Sequence, residues 1–328
     1  MKRISMLCCM GWLLAGLLHH SAPRAAEPDW PAGRPIRMII PSGAGSGTDI
    51  FARIIGARLS QALRQTIVFD NKPGANGIIG NDIAAKAAPD GYTILFSNAS
   101  AIAVNPAVHR KLPYQVLNDL APIAQVGSGG VLLVVTPDVP ARDIGAFVKY
   151  VRAQPENAVY ATWGIGSTGH LSMEALRARE NLKLMHAPYK TSGQILTDLQ
   201  GGTLKLAFVD AASSLPLIKA GKLVPLGVTG KHRVPALPDL PTMQEQGYGL
   251  AMDGWYGLFA PAGTPQAVVQ RLNAEINRIL AATDMRPAFE SRNMSAPQRK
   301  TPAEFAQTVR EDIDSWRDIA QAARITLD

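Results

Sequence analysis

The sequence predicts an α/β protein of two lobes, each a sheet flanked by helices, with a ligand cleft between them. Strand-like apolar runs alternate with helix-like runs along most of the chain, which is typical of sheets covered by helices. The 328 residues exceed one comfortable hydrophobic core, so two units are expected. Two glycine-rich segments each follow a strand-like run and open a helix-like run. Such turns favour a bound anion.

The first elements of the chain already show this alternation. Ile36–Ile40 is an apolar run that predicts a buried strand, and residues 48–63 place their apolar side chains on one helical face. Because buried strands joined by helices run parallel, the sheets are predicted to be parallel. The same reasoning places strands at residues 66–69, 92–96, 131–135, 158–161 and 204–209, and helices at 77–87 and 144–152.

The end of the chain is mainly helical after a strand at residues 255–259. Residues 265–280 carry apolar side chains at helical spacing. Thr301 and Glu304 form a capping box that begins a last helix. A terminal helical stretch of this kind is expected to pack back on the first unit, which would make that unit discontinuous.

Residues 1–26 predict a secretory signal peptide, removed on export. A basic start precedes an apolar stretch, 4–18, that is short for a membrane span, and a polar segment ends at Ala26. Both cysteines, Cys8 and Cys9, lie inside this segment. The mature chain is therefore expected to have no disulfide and no cysteine metal site.

Charge and composition exclude some partners. The net charge of +7 includes Lys2, Arg3 and Arg24 of the predicted signal, so the mature chain is about +4, which is mild. No run of Lys or Arg occurs, so no nucleic acid is expected. His109, His186 and His232 lack the spacing of metal ligands, which predicts no metal. We also expect no cofactor, and a monomer.

The first glycine-rich loop spans residues 41–49. It lacks the Gly-Lys-Ser/Thr end of a P-loop, and its G-x-G-x-G spacing differs from the dinucleotide fingerprint. Thr48 or Asp49 is predicted as the N-cap of the following helix, with Asp49 favoured. Capping leaves other backbone N–H groups for an anion.

The second glycine-rich loop spans residues 160–171 and contains Ser167 near His170. A serine nucleophile is not favoured, because Ile165 stands where a nucleophile elbow needs glycine. His170 is expected in the first turn of the next helix, making a structural hydrogen bond. Trp163 is interpreted either as a wall for a ligand ring or as a lid on the core.

Polar residues at strand ends complete the candidate site. Asp210 ends a predicted strand, where ligands of α/β sheets bind, and is equally well explained as an N-cap. Further donors lie after other strands: Ser97, Asn98, Ser100, Tyr189 and Lys190.

These segments resemble the Bug-type extracytoplasmic solute receptors of tripartite tricarboxylate transporters over the whole mature chain. Ala88-Pro-Asp-Gly-Tyr-Thr93 is close to a family signature. The other matching segments are 34–37, 41–49, 70–80, 170–171, 188–190, 198–202, 218–222, 235–242 and 257–265.

The resemblance implies a two-lobed, type II-like periplasmic binding protein. It implies a first domain of residues 27–125 plus 253–328 and a second of 126–252. The ligand is then a small carboxylate: a dicarboxylate, an amino acid or an aromatic acid. The resemblance assigns ligand binding to Gly45, Ser46, Gly47, Thr48, Asp49, Gly164, Gly166, Ser167, Thr168, His170 and Asp210. Ser97, Asn98 and Trp163 are added on the grounds of their own positions and chemistry.

The chain departs from the family in both loops. Ser42, Gly43 and Ala44 replace an aromatic residue and two prolines, while Trp163 and Ile165 replace a small and a polar residue. These changes hint at a less polar or aromatic acid.

We therefore expect a binding protein, not an enzyme, that delivers its ligand to a membrane permease. The alternatives are a receptor that presents its ligand to a sensor kinase and, less favoured, a secreted hydrolase.

Overall fold

The computed structural model describes residues 30–154, 158–292, 294–295, 299–322 and 325–327. The predicted signal peptide, with both cysteines, lies outside these ranges. The described chain forms two five-stranded sheets flanked by helices, so the predicted two-lobed α/β architecture is confirmed. Within these ranges, no helix is long and apolar enough to cross a membrane.

The first sheet comes from both ends of the chain. Its strands are β1 (Ile36–Ile40), β2 (Ile67–Asn71), β3 (Thr93–Asn98), β4 (Leu120–Gly129) and β10 (Gly254–Pro261). Their order is β2-β1-β3-β10-β4. Strand β1 is parallel to β2 and β3, whereas β10 is antiparallel to β3 and β4.

The second sheet comes from the middle of the chain. Its strands are β5 (Leu132–Val135), β6 (Val159–Thr162), β7 (Met185–Pro188), β8 (Leu206–Val209) and β9 (Val224–Val228). Their order is β7-β6-β8-β5-β9. Strand β6 is parallel to β7 and β8, whereas β5 is antiparallel to β8 and β9.

The prediction of parallel sheets is therefore wrong in one respect, since each sheet is mixed. The antiparallel strand is in each case the one that arrives from the other sheet: β5 comes after β4, and β10 comes after β9. A strand entering in this way has no crossover helix on its own sheet, and that helix is what imposes parallel direction. Sequence reasoning also missed β4 and β9, and it expected β7, the strand before Tyr189, without giving its bounds.

Helices cover both faces of each sheet. Around the first sheet lie α1 (Gly47–Leu63), α2 (Ile78–Ala85), α3 (Asn105–Val108), α4 (Val116–Asp119), α9 (Gln266–Leu280), α10 (Met285–Glu290) and α11 (Pro302–Ala322). Around the second lie α5 (Ile144–Ala153), α6 (Thr168–Glu180), α7 (Ser192–Gln200) and α8 (Ala211–Lys219). Helix α11 buries Phe305 and Trp316 in a core cluster with Phe259 of β10. The C-terminal helix therefore packs on the first sheet.

The chain passes from the first sheet to the second between Gly129 and Leu132, and returns through residues 229–253. The domain boundaries after residues 125 and 252 stay a prediction. Because α1 flanks the first sheet and α6 the second, the loops before these two helices come from different lobes.

Candidate functional site

The two glycine-rich loops fold into the same turn. Gly45 and Gly166 have φ of 76° and 75°, a conformation that glycine adopts without steric cost. The next residue, Ser46 or Ser167, is extended, and its hydroxyl accepts the N–H three residues on, at 3.3 Å and 3.2 Å. Both serines are therefore N-caps, of α1 and α6.

The residue three positions after each cap holds the glycine in place. The Gly45 N–H donates to Asp49 Oδ2 at 2.9 Å, and the Gly166 N–H donates to His170 Nδ1 at 3.1 Å. The prediction of Thr48 or Asp49 as N-cap is wrong, because Ser46 has the extended backbone that a cap requires. The predicted structural hydrogen bond of His170 in the first helical turn is confirmed.

The two holding groups differ in charge. Burial alone would raise the pKa of Asp49, but hydrogen bonds from Arg53, the Gly45 N–H and Asn71 outweigh it and lower the pKa below the ordinary 3.8. Burial lowers the pKa of His170 below its ordinary 6.5. The first loop is therefore held by an anion with its own cation, Arg53, and the second by a neutral imidazole.

The helices also differ in the backbone donors that they leave. No group among the described residues accepts the N–H of Gly47 or Thr48, the first two residues of α1. At the start of α6, the Thr168 N–H donates across the cleft to Ser100 Oγ at 3.0 Å. Unpaired N–H groups at a helix start carry partial positive charge, and the start of α1 leaves more of them than the start of α6 does.

The lobes touch at several points around the cleft. Asn76 of the first lobe donates to the Gly166 carbonyl at 2.9 Å. A Cβ on Gly43 would collide with the Thr191 methyl, and a Cβ on Gly47 would lie 2.7 Å from Asp210 Oδ1. The approach of the two lobes at these points thus requires glycine in the first loop.

A cavity of about 450 Å³ lies between the lobes. Eight of the predicted site residues line it: Ser46, Gly47, Thr48, Asn98, Trp163, Gly164, Thr168 and Asp210. Six do not: Gly45, Asp49, Ser97, Gly166, Ser167 and His170. Five of these six shape the two turns, whereas the Ser97 hydroxyl is buried and donates to Asn81 Oδ1 at 3.1 Å.

Asp210 combines the two roles that its sequence position allowed. It is the N-cap of α8, with Oδ1 accepting the Ser213 N–H at 2.9 Å and Oδ2 the Ser213 hydroxyl at 2.9 Å. It also lines the cavity, opposite the start of α1. Burial and the nearby Asp210 charge raise the pKa of the Tyr256 hydroxyl well above 10, so this end of the cavity holds a neutral phenol beside a carboxylate.

Trp163 likewise combines its two alternatives, since it lines the cavity and packs against both core clusters of the second lobe. Ser100, Tyr189 and Lys190, noted as donors from the sequence, also line the cavity. Sequence reasoning missed other lining residues that come from distant segments: Asn76, His109, Thr191, Trp255, Tyr256, Arg292 and Met294. No local motif marked them.

The cavity suits binding better than bond-breaking chemistry. Ser167 is fully buried and engaged as a cap. In the described part of the chain, no group of three or more His, Cys, Asp or Glu residues is placed to hold a metal ion. The walls combine backbone N–H groups, hydroxyls and aromatic rings, as expected of a small-molecule pocket.

Comparison with known proteins gives the same kind of molecule. The family model "Tripartite tricarboxylate transporter family receptor" matches residues 51–325. Protein BugT of Bordetella pertussis (strain Tohama I) is 33% identical over 303 residues, covering 92% of this chain and 92% of BugT.

Two solved structures with ligands are similar. R. palustris Rpa4515 with adipate has a TM-score of 0.87 at 32% identity, covering 91% of this chain and 99% of the other. MatC from Rhodopseudomonas palustris with bound malate has a TM-score of 0.83 at 31% identity, covering 88% and 99%.

The family consists of substrate-binding receptors rather than enzymes, which confirms the expectation that this chain is not an enzyme. It also confirms the resemblance to Bug-type receptors. With a matching turn at the start of two helices and a cavity between two lobes, the chain belongs to the receptor family of the tripartite tricarboxylate transporters and is a solute-binding protein.

Proposed function

We propose that the protein is exported to the periplasm, captures a small carboxylate between its lobes and delivers it to the permease of a tripartite tricarboxylate transporter. The observation that carries the ligand class is that no described group accepts the N–H of Gly47 or Thr48, two cavity-lining residues at the start of α1. A carboxylate oxygen there accepts both N–H groups and benefits from the helix dipole.

Relatives support the ligand class. Two similar receptors were solved with adipate and malate, both of which are dicarboxylates. Among the described residues, Lys190 and Arg292 line this cavity and offer cations to a second carboxylate. The aromatic rings of Trp163, Tyr189 and Trp255 also line it, which favours an acid with an apolar body.

Asp210 should select the other end of the ligand. The Asp210 carboxylate, which lies beside the Tyr256 hydroxyl, repels a second anion on the ligand and accepts hydrogen bonds from an amine or a hydroxyl. Ligands that carry such a donor are therefore expected to rank above those with a bare second carboxylate at this end.

The ligand class is tested by calorimetry on ligand-stripped protein lacking residues 1–26. The panel is adipate, malate, glutamate and benzoate, with the matched neutral amides as controls. At about 100 times its dissociation constant, a ligand adds roughly 2.7 kcal/mol of stability, so a thermal shift provides a second readout. Binding of acids but not of their amides supports the proposal, whereas equal binding of acids and amides would contradict recognition of the carboxylate.

The role of Asp210 is tested with Asp210→Asn, which keeps an oxygen to cap α8 and removes the charge. The ratio of the affinity for amino or hydroxy acids to the affinity for plain dicarboxylates should fall about tenfold, or about 1.4 kcal/mol. An unchanged ranking in a variant of unchanged melting temperature would contradict this role.

A further inference from the structure

Two histidines are stacked beneath the second binding loop. The rings of His170 and His186 lie 4.2 Å apart between centroids and 20° from parallel, and His186 stacks on Tyr160 at 4.8 Å. Neither histidine lines the cavity. The pair therefore contacts the loop and not a ligand in the cavity.

Each ring is tied to a glycine of the loop. The Gly166 N–H donates to His170 Nδ1. The Thr162 hydroxyl donates to the Gly164 carbonyl at 3.1 Å and lies 2.8 Å from His186 Nε2. That hydroxyl has a single proton, which it donates to the Gly164 carbonyl. It therefore accepts a hydrogen bond from His186, whose neutral ring carries its hydrogen on Nε2.

The hydrogen bond to Gly166 fixes the protonation state of His170. A backbone N–H can only donate, so Nδ1 must carry a lone pair and the ring must be neutral. A proton on Nδ1 would point at the Gly166 N–H, so the hydrogen bond that holds this positive-φ turn would be lost. Gly164, two residues before, lines the cavity, so the change would reach the ligand wall.

The surrounding charges do not compensate a proton on His170. Glu174, one helical turn on, is engaged by Arg177 and by the Tyr160 hydroxyl, which donates at 2.7 Å. Burial lowers the pKa of His170, with Glu174 acting to raise it and Arg177 to lower it. Burial and the neighbouring His170 lower the pKa of His186 to about 4. Helix α11, which packs on α6, adds no charge that shifts either pKa.

We propose that His170, backed by His186, is a positioning residue for the second binding loop, and that the loop keeps its binding shape only while His170 is neutral. This rests on the proposed function, because the loop is taken to be part of the ligand site. Ligand affinity should then fall on acidification by about tenfold per pH unit below the His170 midpoint. The first loop should not respond in this range, because Asp49 titrates below 3.8.

Folding stability should change in the same direction. The pKa of His170 is lower in the folded chain than its ordinary 6.5, so the unfolded chain binds more protons between these values. The contribution of His170 to the free energy of unfolding is therefore fully present above about pH 6.5 and is lost as the pH falls through the pKa of the folded chain.

The test tracks the Gly166 amide and the imidazole signals of ligand-free, ¹⁵N-labelled protein by NMR from about pH 8 to about pH 4.5. The Gly166 amide should move with the midpoint of His170, and the Gly45 amide should stay still. In His170→Asn, whose side-chain oxygen still accepts from Gly166 as Asp49 does from Gly45, the Gly166 amide should no longer move. In His186→Phe, which keeps a stacked ring, it should still move.

Calorimetry with adipate over the same range adds the binding readout. Wild type and His186→Phe should lose affinity on acidification, and His170→Asn should lose only the part that comes from adipate's own protonation. Equal loss in all three proteins, or a Gly166 amide that ignores the His170 titration, would overturn the inference. If adipate does not bind at neutral pH, that ligand is excluded from the proposed function, and the NMR titration still decides the role of His170.

Discussion

The loops at residues 43–49 and 164–170 correspond residue by residue, and they differ in what they leave available. Both place glycine at positive φ, cap a helix with serine and tie the glycine to the residue four positions on. In the first loop, no described group accepts the first two helical N–H groups, and both residues line the cavity. In the second, the first helical N–H is bound to Ser100 of the opposite lobe.

The difference shows that one turn can serve two purposes. The first loop keeps N–H donors at the cavity, and the charge that holds it, Asp49, is balanced by Arg53 at 2.9 Å. The second loop uses a donor to close the cleft, and a neutral imidazole holds it. We infer that the first loop grips the ligand carboxylate and that the second mainly sets the closed geometry.

The largest effect should come from Gly47→Ala in the first loop. The added methyl would meet Asp210 Oδ1 of the other lobe, which opposes closure over the donors, and the Tyr256 hydroxyl of its own lobe. Affinity for the identified acid should fall at least about 100-fold, or about 2.7 kcal/mol. Gly193→Ala is the matched control, because its nearest neighbour would be Thr191 Oγ1 at 3.9 Å. Similar calorimetric affinities for the two variants would contradict the donor role of the first loop.

A smaller effect should come from Ser100→Ala, which removes the acceptor of the Thr168 N–H. The closed state loses two hydrogen bonds, from the Thr168 N–H to Ser100 Oγ and from the Ser100 hydroxyl to Thr168 Oγ1. At about 1 kcal/mol each, affinity should fall about 30-fold. The dissociation rate should rise, since both bonds form only across the lobes. If affinity instead improves, the freed N–H serves the ligand, and the two loops share the grip equally.

The smallest effect is expected at the two serine N-caps. Ser46→Ala and Ser167→Ala each remove one equivalent hydrogen bond, and each should lower the free energy of unfolding by about 1 kcal/mol. Urea denaturation at neutral pH measures both. A cost confined to one variant would show that the turns are alike only in shape.

Much of the fold could be predicted from the sequence, because apolar periodicity reports burial directly. The helix predicted at residues 48–63 is α1, and the strand predicted at residues 131–135 is β5. Strand direction could not be predicted, since it depends on where a strand enters its sheet. Strand β7 was expected before Tyr189 but its bounds could not be predicted, because it is a half-exposed edge strand of four residues, too short for a clear pattern.

The site was predictable only where the chemistry is local. Both serine and aspartate cap helices well, and the choice of Ser46 over Asp49 depends on the backbone after Gly45. Asn76 reaches the second loop from far along the chain, so no spacing revealed it. Ser100 could be noted as a donor after a strand, but its contact with the second loop could not be predicted. The stacking of His170 on His186 is likewise a product of strand order.

The most direct test of the carboxylate grip monitors the backbone amides during ligand titration. With ¹⁵N-labelled protein at neutral pH, addition of the acid found by calorimetry should shift the Gly47 and Thr48 amide protons downfield, as expected when a carboxylate accepts them. The Thr168 amide, already bound to Ser100, should move less. Saturable binding that leaves Gly47 and Thr48 unchanged would contradict the assignment of the carboxylate to the start of α1.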